Sequence, residues 1–220
     1  KKYFYNFIYL SRSITHVNFL RQKGLVKKFE IFKKKNKNIN KNKKKNIIFC
    51  FSPLFEGTDN KSIIKAINFA NETARNYPNI KIFIRPHPNG SVDQLINKNL
   101  DGNENLVVGS ANEVSLESAF KDCLVAIFFN GSSTIIDAIQ NNTIPIIHND
   151  NKWYNLSYLK KRKIALLPSN LKKCKLFLDQ ILKKEKLRNS YLKNIYKFNF
   201  SNSSYKNSKS IITIIKKKIK

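Results

Sequence analysis

The stretch from Lys121 to Pro145, KDCLVAIFFNGSSTIIDAIQNNTIP, constrains this chain more than any other. Its run from Leu124 to Phe129 is wholly apolar, and Asn130-Gly131-Ser132-Ser133 follows at once. Ile135, Ile136 and Ile139 then recur at helical spacing. The pattern predicts a buried strand that ends in a tight polar turn, and a helix opened by that turn. Glycine lets the backbone turn sharply, and Ser132 or Ser133 can cap the helix. The first N–H groups of a helix lack internal partners and sit at the positive end of its dipole, which suits an anion, most often phosphate. An ordinary capped helix is the plainer reading of the turn taken alone.

The flanking segments repeat the alternation. Ile47 to Phe51 is a continuous apolar run closed by Ser52-Pro53, and it predicts a strand. Further strands are expected over 79–84, 105–108, 143–147 and 163–167, and helices over 58–76, 91–100, 115–120 and 171–182. Such alternation means βαβ units and right-handed crossovers. The expected fold is α/β: a Rossmann-like parallel sheet of about six strands with helices on both faces. Ligands of such sheets lie at the carboxyl ends of the strands, near the point where strand order reverses. That singles out Ser52-Pro53, Arg85 to Asn89, Gly109-Ser110, Asn130 to Thr134, and His148 to Asp150.

Residues 33–46, KKKNKNINKNKKKN, form a low-complexity run of like charge that cannot be buried and reads as a solvated linker. It divides the chain into 1–32, the tail of a preceding domain; the linker 33–46; a domain over 47–185; and a basic extension over 186–220, with helical patches at 187–196 and 211–219. The chain begins at Lys1 without an initiator Met, so a fragment or a processed chain is expected.

The formal net charge of +28 raises nucleic-acid binding as a function. Yet the abundant residues, Lys, Asn, Ile, Phe and Tyr, are those of A/T-rich codons, and the lysines spread over the whole chain and do not interleave with aromatics on one face. Nucleic acid is therefore disfavoured as a partner, while peripheral contact with an anionic membrane or a polyanionic glycan stays open. Cys50, Cys123 and Cys174 stand far apart with no C-x-x-C, which argues against zinc or thioredoxin-type chemistry. No apolar run reaches the roughly 18 to 20 residues needed to span a bilayer.

The chain lacks G-x-G-x-x-G, G-x-x-x-x-G-K-[ST] and G-x-S-x-G, so a dinucleotide fingerprint, a P-loop and a nucleophile elbow are all missing. His16, His87 and His148 show no metal-ligand spacing. What remains is a histidine and a pair of serines in loops at the ligand-facing end. His87 lies between Pro86 and Pro88, which stiffen the loop and hold the imidazole in one place. A positioned imidazole can donate to a phosphate oxygen, and Arg85 beside it can serve a phosphate or pair with a carboxylate.

The order strand, R-P-H-P, helix, strand, N-G-S-S, helix, strand with I-P-I-I resembles the C-terminal nucleotide-binding domain of GT-B glycosyltransferases. His87-Pro88 and Ser132-Ser133 resemble the HP and SS motifs of bacterial sialyl-, polysialyl- and Kdo-transferases, and capsule transferases using CDP-linked polyols look broadly similar. The resemblance covers about 47–185. It implies a metal-independent enzyme that uses a nucleotide-activated sugar, CMP-linked first, and a glycan or glycolipid acceptor. It further implies cell-surface polysaccharide synthesis in the cytoplasm, with no cofactor. A UDP-sugar transferase or sugar 2-epimerase of the same fold is the alternative, and a non-catalytic module for polyanions or a membrane surface is another.

In that light His87 stabilises the departing nucleotide, and Ser132 and Ser133 hold the phosphate. Arg85, Pro88, Asn130, Gly131, Thr134 and Ser52 line the site. Asp137, one turn into the helix, matches an acidic residue of the family or serves only the helix dipole. One departure matters. The family's acceptor-activating base lies in an acidic motif of the N-terminal domain, and only Glu56-Gly57 offers an acid before glycine here, in the wrong half. This chain is therefore expected to bind a nucleotide without holding the catalytic base.

Overall fold

The structure is a computed structural model, and it describes residues 44–52, 60–109, 114–129, 132, 134–148 and 156–200. These fall within one compact unit, Lys43–Phe200. The elements run β1 (Asn46–Phe51), α1 (Asn60–Asn76), β2 (Ile82–Arg85), α2 (Asp93–Asn99), β3 (Leu106–Val108), α3 (Leu116–Lys121), β4 (Cys123–Phe129), α4 (Thr134–Gln140), β5 (Ile144–His148), α5 (Ser157–Lys161), α6 (Leu171–Lys183) and α7 (Glu185–Phe200). The expected helical patch over 211–219 lies outside the described residues.

The five strands form one parallel sheet in the order β3-β2-β1-β4-β5. The chain steps outward from β1 to β3, then crosses back to β4 and β5, so strand order reverses between β1 and β4. The two strands at that point are the most apolar and the most buried: every residue of β4 is buried, as is all of β1 after Asn46. They carry apolar side chains on both faces because helices cover both. β3 is the opposite case, an edge strand whose Val107 and Val108 are 39% and 45% exposed.

Period-2 alternation sorts the strand residues between two helical layers. Phe49 meets Phe69 of α1 edge to face at 5.3 Å and stacks along the sheet on Phe129 at 6.2 Å. Cys50 and Phe128, a register pair, take the other face, where Phe128 packs on Phe120 of α3 at 6.4 Å. α1 buries Ile63, Ala66, Ile67, Phe69, Ala70 and Ala74, a stripe at helical spacing. It packs on α2 and α6; α3 packs on α4, and α7 covers α4, β5 and α6. Ile195 of α7 is fully buried, so the core continues past residue 185.

A sixth strand over 163–167 is expected from the sequence, and the structure reduces it to a single parallel bridge from Leu166 to Ile146. Leu166 N–H donates to the Pro145 carbonyl at 2.9 Å, and Ile147 N–H to the Leu166 carbonyl at 2.8 Å. The local backbone explains the difference. Lys163 has φ of 51°, a left-handed turn residue, and Pro168 has no N–H to give a ladder. Only a short apolar run is left between the two.

At the opposite, N-terminal edge, the carbonyls that end α3 and α4 converge. Lys44 Nζ donates to the Phe120 carbonyl at 3.1 Å and to the Asn141 carbonyl. Thr143 Oγ1 donates at the same place, lying 3.2 Å from the Phe120 carbonyl and 2.9 Å from that of Cys123. A lysine suits helix C-termini, whose orphan carbonyls carry the negative end of the dipole.

Candidate functional site

The parallel sheet delivers the ends of β1, β2, β4 and β5 to one edge. Ser52, Arg85, Phe129 and His148 end or follow these strands, and the expected site residues stand on the loops just beyond. Asn130, Gly131 and Ser133 lie outside the described residues, as do Pro53, Ser110, Asn149, Asp150, Trp153 and Tyr154.

Ser52 is buried, and its hydroxyl donates to the Phe129 carbonyl at 2.7 Å. This bond ties β1 to β4 where strand order reverses. The hydroxyl is committed to the scaffold, so Ser52 shapes the floor of the site.

The loop after β2 is held by its own polar groups. Pro86 is buried, His87 half-buried, and Pro88 exposed. The Asn89 N–H donates to His87 Nδ1 at 3.3 Å, and the Gly90 N–H donates to the His87 carbonyl at 3.1 Å. Gly90 adopts φ of 70°, the left-handed conformation that favours glycine. In the neutral ring, an Nδ1 that accepts puts the proton on Nε2. The loop therefore sets up Nε2–H as a donor.

The turn into α4 is similarly self-bonded. The hydroxyls of Ser132 and Thr134 share a hydrogen bond of 2.8 Å, and the Thr134 N–H donates to Ser132 Oγ at 3.3 Å. α4 spans only 7 residues, so its dipole is short. The capacity of this turn for an anion rests on its hydroxyls more than on the helix behind them.

Arg85 and Asp137 are the charged residues among those expected at the site. Arg85 is in register with Cys50, so both side chains lie on the α3–α4 face of the sheet. Burial pushes the Asp137 carboxyl up to about 6, against the pull of the Arg85 guanidinium. Burial also lowers Arg85, while Cys50 and Asp137 raise it. Burial pushes the Cys50 thiol far above the usual range, which keeps it neutral. The sequence hides this cluster, because Cys50 reads there only as a small core residue. The available signal is the alternation of β1, which turns Cys50 away from Phe49 and Phe51.

Among the described residues, His87 and Ser132 each bond only within their own loop. No group of three His, Cys, Asp or Glu side chains there could hold a metal ion. Two cavities among the described residues lie elsewhere. A groove of about 320 Å³ between α1 and α6 has Lys175 already paired with Glu72. A hollow of about 620 Å³ at the N-terminal edge is lined by Arg75, Asn103 and Glu104.

No family model matches this sequence, and no curated protein sequence does. Solved structures do resemble it. The UDP-GlcNAc 2-epimerase from Neisseria meningitidis, bound to UDP-GlcNAc, is 15% identical with a TM-score of 0.61, over 91% of this chain and 52% of that one. WaaG, a glycosyltransferase involved in lipopolysaccharide biosynthesis, is 15% identical with a TM-score of 0.53, over 84% of this chain and 50% of that one. The C-terminal domain of LpcC, a group 1 glycosyl transferase from Francisella tularensis, is 15% identical with a TM-score of 0.50, over 69% of this chain and 83% of that domain. These likenesses show the Rossmann-like domain fold of GT-B enzymes. The chain spans about half the length of the first two.

Proposed function

We propose that this chain binds the nucleotide-activated sugar of a GT-B glycosyltransferase at the carboxyl edge of its sheet. One observation carries the proposal. Arg85 at the end of β2, the proline-held His87 in the loop after it, Ser132 in the turn after β4 and Thr134 at the start of α4 all stand at the carboxyl edge of the sheet. A cation and three uncharged donors on a rigid sheet suit a phosphate. As the nucleotide leaves, negative charge builds on its phosphate, and preorganised donors lower the barrier. On this proposal Asn130, Gly131 and Ser133 complete the turn, Pro88 stiffens the loop, and Asp137 stands behind them.

The HP and SS motifs favour a CMP-linked sugar, a glycan or glycolipid acceptor, and a cytoplasmic role in building capsule or lipopolysaccharide. The base that takes the acceptor proton belongs, on this proposal, to the other half of the enzyme. A UDP-sugar transferase or a 2-epimerase is the second reading, favoured by the likeness to an epimerase bound to UDP-GlcNAc. Thermal unfolding with CMP, CDP and UDP separates them. Protection by CMP above UDP supports the first reading, and the reverse order supports the second. Protection by none, with binding to polyanions that falls steeply with salt, would leave a non-catalytic basic module.

A further inference from the structure

We infer that the basic turn Lys160–Lys163 and the adjoining C-terminal half of α7 form a docking surface for an anionic phospholipid bilayer. The inference goes beyond the donor site and does not depend on it.

Charge segregates along this chain. From residue 44 to 148 the sequence has nine Lys and Arg against ten Asp and Glu. From 156 to 200 it has thirteen against two. A/T-rich coding acts on both stretches alike, so it does not account for the difference. The strands and the helices between them stand near neutrality, and the excess falls on α5, α6, α7 and the turns that join them.

The fold gathers part of that excess in one place. Asn194 of α7 donates from Nδ2 to the Lys163 carbonyl at 3.3 Å, which pins the turn after α5 against α7. Lys160, Lys161, Arg162 and Lys163 are all exposed, as are Lys193, Tyr196 and Lys197, which flank Asn194 on α7. The two acids of this stretch stand apart. Asp179 pairs with Lys183 and accepts from the Tyr77 hydroxyl, and Glu185 opens α7 about 12 Å along the helix from Lys193.

The turn is built against local preference. Lys163 N–H donates to the Lys160 carbonyl at 2.9 Å and Ile164 N–H to that of Leu159 at 2.9 Å, the pair of bonds that closes a helix around a left-handed residue. That residue is Lys163, with φ of 51°. Glycine is favoured at such a position, because it has no Cβ to strain. A lysine held there at a cost in backbone energy points to a role for its charge.

The surface fits a bilayer better than a nucleic acid. α7 packs on α4, β5 and α6 and buries Ile195, so it is not free to enter the groove of a duplex. Single strands are held on several aromatic platforms, whereas Tyr196, 40% exposed, is the one exposed aromatic among the described residues of this surface. A lone tyrosine among lysines suits the headgroup layer, where its ring meets the interface and its hydroxyl meets water. The apolar side of α7 is used in the core, so the contact is electrostatic and needs no deep insertion.

Co-sedimentation of the full chain with vesicles tests the surface. Vesicles of equal parts phosphatidylcholine and phosphatidylglycerol should bind the protein, and vesicles of phosphatidylcholine alone should not. Binding should collapse in about 1 M salt, where the Debye length is about 3 Å. No preference for the anionic vesicles overturns the inference. The other lysines of the chain give a shared background, so two variants of equal net charge decide where the contact falls. Lys193→Glu with Lys197→Glu should weaken binding by about fivefold or more for each lysine lost. Lys61→Glu with Lys98→Glu, exposed on α1 and α2, should change it little. Equal losses from the two pairs overturn the inference, since net charge alone would then be at work. Lys163→Gly should melt no earlier than the wild type and still bind vesicles about fivefold more weakly. An earlier melt, or full vesicle binding by that variant, also overturns it. Duplex DNA bound as tightly as the mixed vesicles, and lost with the same pair, overturns the choice of a bilayer. Protection by CMP or UDP should be the same in all these variants, so failure of this surface is distinct from failure of the donor site.

Discussion

The Ser52 hydroxyl donates to the Phe129 carbonyl at 2.7 Å, joining the last turns of β1 and β4 at the point where strand order reverses. Both strands are buried here, and beyond them the two chains diverge into the loops of the candidate site. A buried carbonyl that loses its partner bears most of its desolvation cost. Ser52→Ala should therefore destabilise the domain by about 1 to 2 kcal/mol, measured by urea unfolding. A nucleotide affinity reduced by more than the lost stability explains would show that the bond also shapes the site. An unchanged unfolding midpoint would show that Phe129 has other support.

Much of the fold was legible because strand burial and helix periodicity agree. Leu124 to Phe129 is apolar without interruption because both faces of β4 are covered, and Ile63 to Ala74 repeats at helical spacing because one face of α1 meets the sheet. Local signals failed where tertiary geometry decides. Leu166 makes one bridge where a strand was expected, because a left-handed turn at Lys163 and Pro168 leave no room for more. At the site, topology alone brought Ser52, Arg85, His87 and Ser132 to one edge. The pairing of Cys50 with Arg85 depends on register between strands 35 residues apart in the chain, which no local pattern encodes.

Lys44 makes a prediction about alkaline pH. Its Nζ meets two carbonyls, those of Phe120 and Asn141, whereas an ammonium has three N–H donors and an amine two. Burial pushes the Lys44 ammonium down to about 8, with Cys123 and Asp122 opposing. An unfolded lysine titrates near 10.4, so between about 8 and 10 the unfolded chain binds more protons, and Lys44 adds stability as pH rises. Wild type should gain on Lys44→Met between pH 7.5 and 9.5, by at most about 3 kcal/mol. Buried thiols titrate in the opposite sense in both proteins, so the difference between the two urea curves isolates the lysine. Curves that stay parallel across that range would sink the idea.

The three cysteines should be silent in the native protein. Cys50, Cys123 and Cys174 are free and buried. Burial pushes Cys123 up to about 12, even with Lys44 nearby to lower it. The thiolate is the reactive form, so at pH 8 its fraction at Cys123 falls about a thousandfold below that of an ordinary cysteine. Ellman's reagent should report no fast thiol before denaturant is added and three afterwards. A thiol that reacts in the folded state would mean that the core opens locally, at the sheet for Cys50 or Cys123 and at α6 for Cys174.

His87 offers the sharpest test of the candidate site, because its two nitrogens have separate tasks. Nδ1 accepts from the Asn89 N–H at 3.3 Å and shapes the loop, which leaves Nε2–H as the donor. Asparagine places a carbonyl oxygen where Nδ1 was and nothing where Nε2 was; glutamine places an amide near Nε2 and abandons Nδ1. If Nε2–H serves a nucleotide phosphate, His87→Asn should keep the unfolding midpoint and lose about tenfold or more in nucleotide affinity. His87→Gln should retain most of the affinity while the loop loosens, seen as faster amide exchange at Asn89 and Gly90. The opposite ranking, with glutamine impaired and asparagine normal, would make His87 a loop residue and move the phosphate to Arg85 and the hydroxyls of Ser132 and Thr134.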